Sequence, residues 1–243
     1  MSAPRRVSLE PAFLLHHRPW SDTSRILELM SRGHGRVTLF ARGVRRPGSA
    51  LRAVLQPFVP MLISWSGRAD GGTLVGAEIG GTPARLPPSR LMCGFYLNEL
   101  LLRLLPHEEG HDQLFDAYAT ALAQLAAAPD YRPLRTFELV LLEELGYGLE
   151  LGRDAASGEP LDPERYYHFQ PGRGVVAVAA ESGDPDALRG RVMLAVSCGD
   201  FDEPAVQSAA RRILGAAIGH CLEGRGLHSR AVMLALRQRE QDA

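Results

Sequence analysis

Residues 35–41 have the sequence Gly-Arg-Val-Thr-Leu-Phe-Ala, with apolar side chains at every second position from Val37 to Ala41. A Gly-His-Gly turn precedes them. Alternation with a period of two residues places one set of side chains on one face of a strand, so this stretch predicts a β-strand with one buried face. Four further short apolar runs, bounded by Gly, Pro or polar residues, also predict strands: residues 11–16, 25–30, 57–65 and 73–79.

Five short strands without a long helical pattern indicate a small β-barrel in the first 82 residues. A five-stranded OB-fold fits this count, and an SH3-like barrel fits nearly as well. After a proline-rich boundary the apolar period becomes helical. We therefore predict an α+β protein, with an OB-fold DNA-binding domain over 1–82 and a helical domain over 83–243. The helical domain is predicted to contain helices over 89–105, 112–128, 133–145 and 203–222, and Asp202 is the predicted N-cap of the last of these. A final helix is predicted from Ser229 through Met233 and Leu236. An irregular insertion is predicted over about 149–202, with a hairpin around 166–178.

The composition excludes several classes of chemistry. All 27 basic residues are arginine, so no reaction that needs a lysine amine is available. The three cysteines are far apart and form no C-x-x-C pair, which excludes a disulfide framework and a four-cysteine zinc knuckle. No apolar run approaches the 18 residues of a membrane span. We expect a cytoplasmic protein that is associated with the nucleoid and has no contact with a membrane.

Charge is unevenly distributed along the chain. Residues 1–85 carry 12 arginines against 5 acidic residues, a net of +7. Residues 86–204 carry 9 arginines against 20 acidic residues, a net of −11. A basic first part and an acidic middle indicate two domains with different partners, although charge lobes are also common in compact proteins.

Residues 107–111, His-Glu-Glu-Gly-His, match the H-E-x-x-H pattern of zinc proteases. In that pattern two histidines on one helical face bind the metal and the glutamate activates water. A proline precedes the first histidine and a glycine precedes the second, so the segment is predicted to be a loop between helices. A zinc metalloprotease acting through His107, Glu108 and His111 is therefore kept only as an alternative. We predict that the protein is not an enzyme and binds no metal or cofactor.

A basic segment directly follows the alternating strand. Four of the eleven residues from 42 to 52 are arginine, and small loop residues separate them. Guanidinium groups suit phosphate oxygens, and Gly and Ser let a backbone come close. We predict a nucleic-acid-binding surface, and a protein–protein adaptor without DNA binding is the other alternative. The candidate DNA-binding residues are Arg18, Arg25, Arg36, Arg42, Arg45, Arg46 and Arg52.

Four aromatic residues, Trp20, Phe40, Phe58 and Trp65, are interleaved with these arginines. A surface that binds single strands needs aromatic rings on which bases can stack. Each of the four fits a hydrophobic core at least as well, so the sequence leaves both roles open.

An ordered set of short strings resembles the RecO recombination mediator family over most of the chain. The first is Ala-Phe-Leu-Leu-His-His-Arg-Pro-Trp-Ser-Asp-Thr-Ser at 12–24, and the others lie at 35–37, 41–46, 55–58, 96–101, 134–138, 145–148 and 227–230. The resemblance implies an OB-fold followed by a helical domain. It also implies binding of single- and double-stranded DNA, annealing of complementary strands, and help in loading the strand-exchange recombinase onto protein-coated single strands.

The resemblance also implies two protein partners, RecR and the C-terminal tail of the single-stranded-DNA-binding protein. Many family members carry a four-cysteine zinc site in the region equivalent to 150–200. This sequence has only Cys198 there, so no zinc is expected.

A tail-binding site is predicted at the start of the third helix of the helical domain. Arg135 lies there beside the apolar residues Leu134, Phe137 and Leu141. A positive helix end, an arginine and a hydrophobic groove suit an acidic peptide that ends in an apolar residue and a carboxylate. The resemblance places a tail-binding arginine at the same position. A surface arginine on a packed helix is the alternative.

Overall fold

The structure is a computed structural model that describes residues 6–68, 70–107, 109–179, 184–229 and 231–232. The first five strands are β1 (Arg6–Pro19), β2 (Arg25–Ser31), β3 (Gly35–Ala41), β4 (Pro60–Ser66) and β5 (Gly72–Ile79). They close into a barrel in the order β1-β2-β3-β5-β4, with β4 pairing back to β1. Five strands in this closed order form an OB-fold, which confirms the predicted fold class and decides against the SH3-like alternative.

The alternation in β3 determines which side chains fill the barrel. Val37, Leu39 and Ala41 are fully buried, and the residues between them are only partly buried. Each strand contributes inward side chains in the same way, so the barrel interior is a continuous apolar core. This core consists of Ala12, Leu14, Leu27, Leu29, Val37, Leu39, Ala41, Val44, Leu55, Met61, Ile63, Trp65 and Leu74.

The outer face of β1 is also buried, because two helices pack against it. These helices are α2 (Pro88–Leu104) and α3 (Asp112–Ala127). The ring of Phe13 lies 5.2 Å from the ring of Phe115 and 5.0 Å from that of Tyr118. Aromatic contacts of this kind add to the free energy of area burial. Burial on both faces explains why four consecutive residues of β1, from 12 to 15, are apolar.

A buried hydrogen-bond network joins α2 and α3 to a bulge in β1. The register with β2 shifts between Leu14 and His16, so Leu15 is the extra residue and its carbonyl is available. Asn98 donates its amide N–H to this carbonyl at 3.0 Å, and the Tyr118 hydroxyl donates to the Asn98 oxygen at 2.5 Å. Buried polar groups are stable only when they are paired, so this network fixes the position of both helices.

The remaining elements are α1 (Leu51–Val54), α4 (Arg132–Glu144), β6 (Tyr166–Gln170), β7 (Gly174–Val178), β8 (Leu188–Arg189), α5 (Gly190–Ser197) and α6 (Pro204–Cys221). Two compact units contain these elements. One holds the described residues up to Pro129 and those from Leu227 onward, and the other is Asp130–Gly226. The first unit reaches Pro129 because α2 and α3 pack on the barrel. The division into domains at residue 82 stays a prediction.

The local structure departs from the prediction at three points. The region 149–202 is mostly without regular structure in its described part, but besides the predicted hairpin it contains α5, whose eight residues are too few to show a clear helical period. Asp202 does not cap α6; Glu203 occupies that position without a side-chain hydrogen bond, and Asp202 accepts a hydrogen bond from Arg132. The short α1 was not predicted. Met233 and Leu236 of the final predicted helix lie outside the described residues.

Glu99 of α2 anchors the described segment after residue 226. Its carboxylate accepts hydrogen bonds from the backbone N–H groups of His228 and Ser229, at 2.9 and 2.8 Å, and from the Ser229 hydroxyl at 2.6 Å. Burial alone would raise the pKa of Glu99, but these bonds and the charge of Arg103 outweigh it and lower the pKa. A lowered carboxyl pKa contributes stability above the unfolded-state value, and that contribution is lost as the pH falls through the folded-state pKa.

Candidate nucleic-acid interface

An open cleft of about 480 Å³ lies at one end of the barrel. Three chain segments meet there: the β1–β2 turn, the end of β3 with the residues that follow it, and the start of β5. They meet because β3 and β5 run parallel, with Phe40 opposite Thr73. In an OB-fold the β1–β2 loop and the face of β2 and β3 are the usual place for an oligonucleotide. The cleft is lined by Trp20, Ser21, Thr23, Ser24, Phe40, Arg42, Gly43, Arg46 and Thr73.

Arg45 joins the two loops that border the cleft. Its backbone N–H donates to the carbonyl of Thr23, and its Nη1 donates to the carbonyl of Ser21, both at 3.0 Å. Gly43 has a φ of +70°, a left-handed conformation that glycine adopts without strain. The turn that follows brings the N–H of Arg46 to the carbonyl of Gly43 at 3.1 Å. Residues 42–46 are therefore held against the β1–β2 turn by one backbone and one side-chain hydrogen bond of Arg45.

The predicted DNA-binding arginines differ in how exposed their side chains are to a ligand. Arg25 is half-buried on β2, opposite Ala41. Within the described ranges, no carboxylate oxygen lies within 4.0 Å of a side-chain nitrogen of Arg25 or of the five exposed arginines of the predicted set. Their positive charge is thus not neutralised locally, and it attracts phosphate. The exposed arginines of the predicted set are Arg18, Arg42, Arg45, Arg46 and Arg52.

Arg36 has a different environment from the other members of the predicted set. It lies on the outer face of β3, and its guanidinium donates to the carbonyls of Leu102 and Leu105 at the end of α2. Its Nε also donates to Nε2 of His107 at 3.0 Å, and Glu28 lies 3.8 Å away. These contacts satisfy carbonyl groups that a helix end leaves without partners. We therefore leave Arg36 out of the proposed DNA surface.

Replacing Arg36 with alanine is expected to affect stability more than DNA binding. Loss of its hydrogen bonds to the end of α2 should lower the free energy of unfolding by about 1–2 kcal/mol, or the Tm by about 2–8 °C. The slope of DNA affinity against salt should stay as in the unmodified protein. The control is Arg52→Ala, since Arg52 is exposed and its removal should not change the Tm. A flatter slope of DNA affinity against salt for Arg36→Ala, with an unchanged Tm, would show that Arg36 contacts DNA.

The pKa of His17 on β1 is lowered. Burial has the largest effect, and the nearby Arg25 and His16 lower it further. A lowered pKa favours the neutral imidazole over the charged form. His17 therefore contributes less positive charge to this part of β1 than an unperturbed histidine would.

The structure shows which of the four aromatic residues belong to the core and which line the cleft. Trp65 and Phe58 are buried, with exposed fractions of 1% and 5%. Trp20 and Phe40 line the cleft, and their ring centroids lie 5.3 Å apart. The lining hydroxyl of Thr73 was not among the predicted site residues, because only the parallel pairing of β3 and β5 brings it to the cleft.

The predicted tail-binding residues form a packed helix face rather than an open groove. Leu134, Phe137 and Leu141 are buried in the unit that contains α4 and α6. Arg135 is mostly buried, and its Nη2 lies 2.6 Å from Oε1 of the fully buried Glu138. Near the start of α4, the side chain of Tyr131 is exposed.

The H-E-x-x-H pattern does not form a zinc site. Residues 105–111 lie between α2 and α3, His107 is bonded to Arg36, and His111 immediately precedes α3. Glu108 lies outside the described residues. Since no helix runs through both histidines, they do not share a helical face. Among the residues with described coordinates, no three His, Cys, Asp or Glu side chains are grouped closely enough to hold a metal ion. None of the described helices is both long and apolar enough to cross a membrane.

The barrel and its cationic cleft define an oligonucleotide-binding type of fold, and comparison with known proteins gives the family. Residues 6–81 match the family model "Recombination protein O N terminal", and residues 85–231 match "Recombination protein O C terminal". The chain belongs to the RecO family of DNA repair proteins. It is 43% identical to DNA repair protein RecO of Aromatoleum aromaticum over 98% of this chain and 100% of that protein. It is 46% identical to DNA repair protein RecO of Methylococcus capsulatus over 93% of each chain.

Proposed function

We propose that the protein binds single- and double-stranded DNA through the arginines around the cleft and anneals complementary strands. We further propose that it helps to load the strand-exchange recombinase onto single strands coated by their binding protein. The observation that carries this is the open cleft at the end of the OB-fold, which Arg42 and Arg46 line, together with the exposed Arg18, Arg45 and Arg52 of the predicted set. The family membership supports a role in DNA repair and recombination.

The proposed mechanism is electrostatic. Guanidinium groups neutralise phosphates and release the counterions that surround DNA, which makes the affinity depend on salt. Two complementary strands that are held near such a surface repel each other less, so base pairing proceeds faster. No covalent bond changes in this process. The protein thus acts as a binding protein rather than as an enzyme, in the cytoplasm and in contact with the nucleoid.

An annealing assay at varied salt, with and without the single-strand-coating protein, tests this function. Annealing should be fast at low salt and should slow as the salt concentration rises, because counterion release then contributes less. The adaptor alternative makes the opposite prediction. An absence of binding to a labelled oligonucleotide even at low salt would exclude the proposed function and favour the adaptor.

We also propose two protein partners, RecR and the acidic C-terminal tail of the single-stranded-DNA-binding protein. The tail would contact Arg135 near the start of α4. The support is the charge of this guanidinium and its place in the first turns of a helix, where the dipole favours an anion. The buried partner Glu138 partly neutralises the positive charge of Arg135. We therefore propose that the tail binds to Arg135 and the N-terminal end of α4 together.

Replacing Arg135 with alanine is expected to weaken tail-peptide binding by about tenfold, since one charge-assisted hydrogen bond is lost. DNA annealing without the coating protein should continue. The variant also removes the ion pair between Arg135 and the buried Glu138, which destabilises the fold. The double variant Arg135→Ala/Glu138→Ala removes both charges and controls for this. Recovery of peptide binding in the double variant would show that Arg135 acts on stability and not on the tail.

A further inference from the structure

Trp20 is a large aromatic side chain that folding leaves open to solvent. Its exposed fraction is 63%, whereas the other tryptophan, Trp65, is 1% exposed inside the barrel. Burying an aromatic ring stabilises a fold, so an exposed indole gives up that contribution. A single exposed apolar residue is common and proves nothing by itself. Its setting in the cleft supplies the further argument.

The indole of Trp20 is supported by the residues around it. Its backbone N–H donates to the carbonyl of Ser24 at 3.1 Å, which closes the β1–β2 turn. Its ring packs against Phe40 of β3 with a centroid separation of 5.3 Å and an angle of 67° between the ring planes. A tilted contact of this kind holds an aromatic ring in place without stacking a second ring flat against it. The indole therefore keeps open surface for a ligand.

The rest of the cleft supplies groups that suit a nucleotide. Arg42 and Arg46 line it with positive charge, and four hydroxyl side chains line it with groups that both donate and accept hydrogen bonds. Its volume of about 480 Å³ lies within the range of roughly 300–1,000 Å³ that small-molecule sites occupy. The hydroxyl residues are Ser21, Thr23, Ser24 and Thr73.

We propose that Trp20 stacks on an unpaired base of single-stranded DNA while Arg42 and Arg46 hold the neighbouring phosphates. This inference rests on the proposed DNA-binding function, and it adds that the cleft favours single strands over duplex. In a duplex each base is already stacked between its neighbours, so no base face is available to the indole. Every base has a face that can stack, so this contact does not depend on the base sequence.

The test compares a labelled oligothymidylate with an abasic oligomer of the same length, which carries the same phosphates but no bases. The unmodified protein should bind the oligothymidylate about tenfold more tightly, as expected for a base stacked on an aromatic ring. Trp20→Ala should reduce this ratio to about one, and Trp20→Phe should keep most of it. Val75→Ala is the matched control, because Val75 is an exposed apolar residue of the same barrel outside the cleft.

Tryptophan fluorescence gives a second readout that a structural role would not change. Excitation at the red edge of the absorption band selects the two tryptophans over the six tyrosines, and the buried Trp65 is shielded from acrylamide. Oligothymidylate should quench Trp20 and protect it from acrylamide, whereas the abasic oligomer should not. In Trp20→Ala, unchanged emission from Trp65 shows that the barrel is folded.

The outcomes separate this inference from the proposed function. Equal, salt-dependent affinity of the unmodified protein for both oligomers, without quenching, would overturn the stacking role and leave the electrostatic function standing. An absence of binding to either oligomer would overturn the proposed function itself. A ratio that falls equally in Val75→Ala would show a general effect on the barrel and would also count against Trp20.

Discussion

The triple variant Arg42→Ala/Arg45→Ala/Arg46→Ala is expected to bind single-stranded DNA about a hundredfold more weakly at low salt, since each guanidinium–phosphate contact contributes about 1 kcal/mol or more. The slope of log affinity against log salt should become flatter by about 2 units for single strands and about 3 for duplex, because fewer counterions are released. A salt titration with a labelled oligonucleotide measures both quantities. Annealing should slow in parallel.

A matched triple variant controls for the change in net charge. Arg165, Arg173 and Arg191 are also exposed, but they belong to the acidic part of the chain and to the other compact unit. Replacing these three with alanine changes the net charge equally and should leave the salt slope unchanged. Equal slopes for the unmodified protein and the variant at residues 42, 45 and 46 would show that the DNA path avoids the cleft. Thermal unfolding distinguishes that result from a loss of the loop contacts made by Arg45.

Gly35→Ala is expected to lower the free energy of unfolding by at least about 3 kcal/mol, or the Tm by about 6–12 °C. Gly35 has a φ of +61°, in the left-handed region that strains other residues. A Cβ atom there would also lie 1.9 Å from the carbonyl oxygen of Glu109, in the loop between α2 and α3. The backbone on one side or the other must therefore move. Thermal unfolding of the full chain measures the effect.

Two glycine variants separate the strain from the steric clash. Gly48 has a φ of +78°, and a Cβ atom added there would have no neighbour within 4 Å, so Gly48→Ala adds strain alone and should cost about 1 kcal/mol. Gly71 has neither a positive φ nor a close neighbour, so Gly71→Ala should be nearly neutral. If Gly35→Ala lowered the Tm no more than Gly48→Ala, this would contradict the close contact between Glu109 and β3.

Local patterns were sufficient to predict that the five barrel strands and the long helices exist, although β1 is longer than predicted, Arg6–Pro19 against 11–16. The predicted and observed bounds of β3 are the same, 35–41, because alternation requires only that one face be buried and the other not. Helices α2 and α3 were predicted within one residue at each end, since proline, aspartate and loop residues mark their limits. The eight-residue α5 was missed, because a short helix that begins at glycine gives almost no periodic signal.

The sequence by itself determined the fold class and the concentration of arginine in its first part, because both depend on which residue types are neighbours in the chain. Only the tertiary structure decided which arginine and tryptophan side chains are occupied by internal contacts and which stay open to a ligand. Arg36 lies in β3 and Arg42 directly follows it. The guanidinium of Arg36 nevertheless donates hydrogen bonds to the end of α2, whereas Arg42 lines an open cleft. Trp65 fills the barrel and Trp20 lies outside it. The physical reason is that availability for a ligand depends on contacts between residues far apart in the chain, and no local pattern records them.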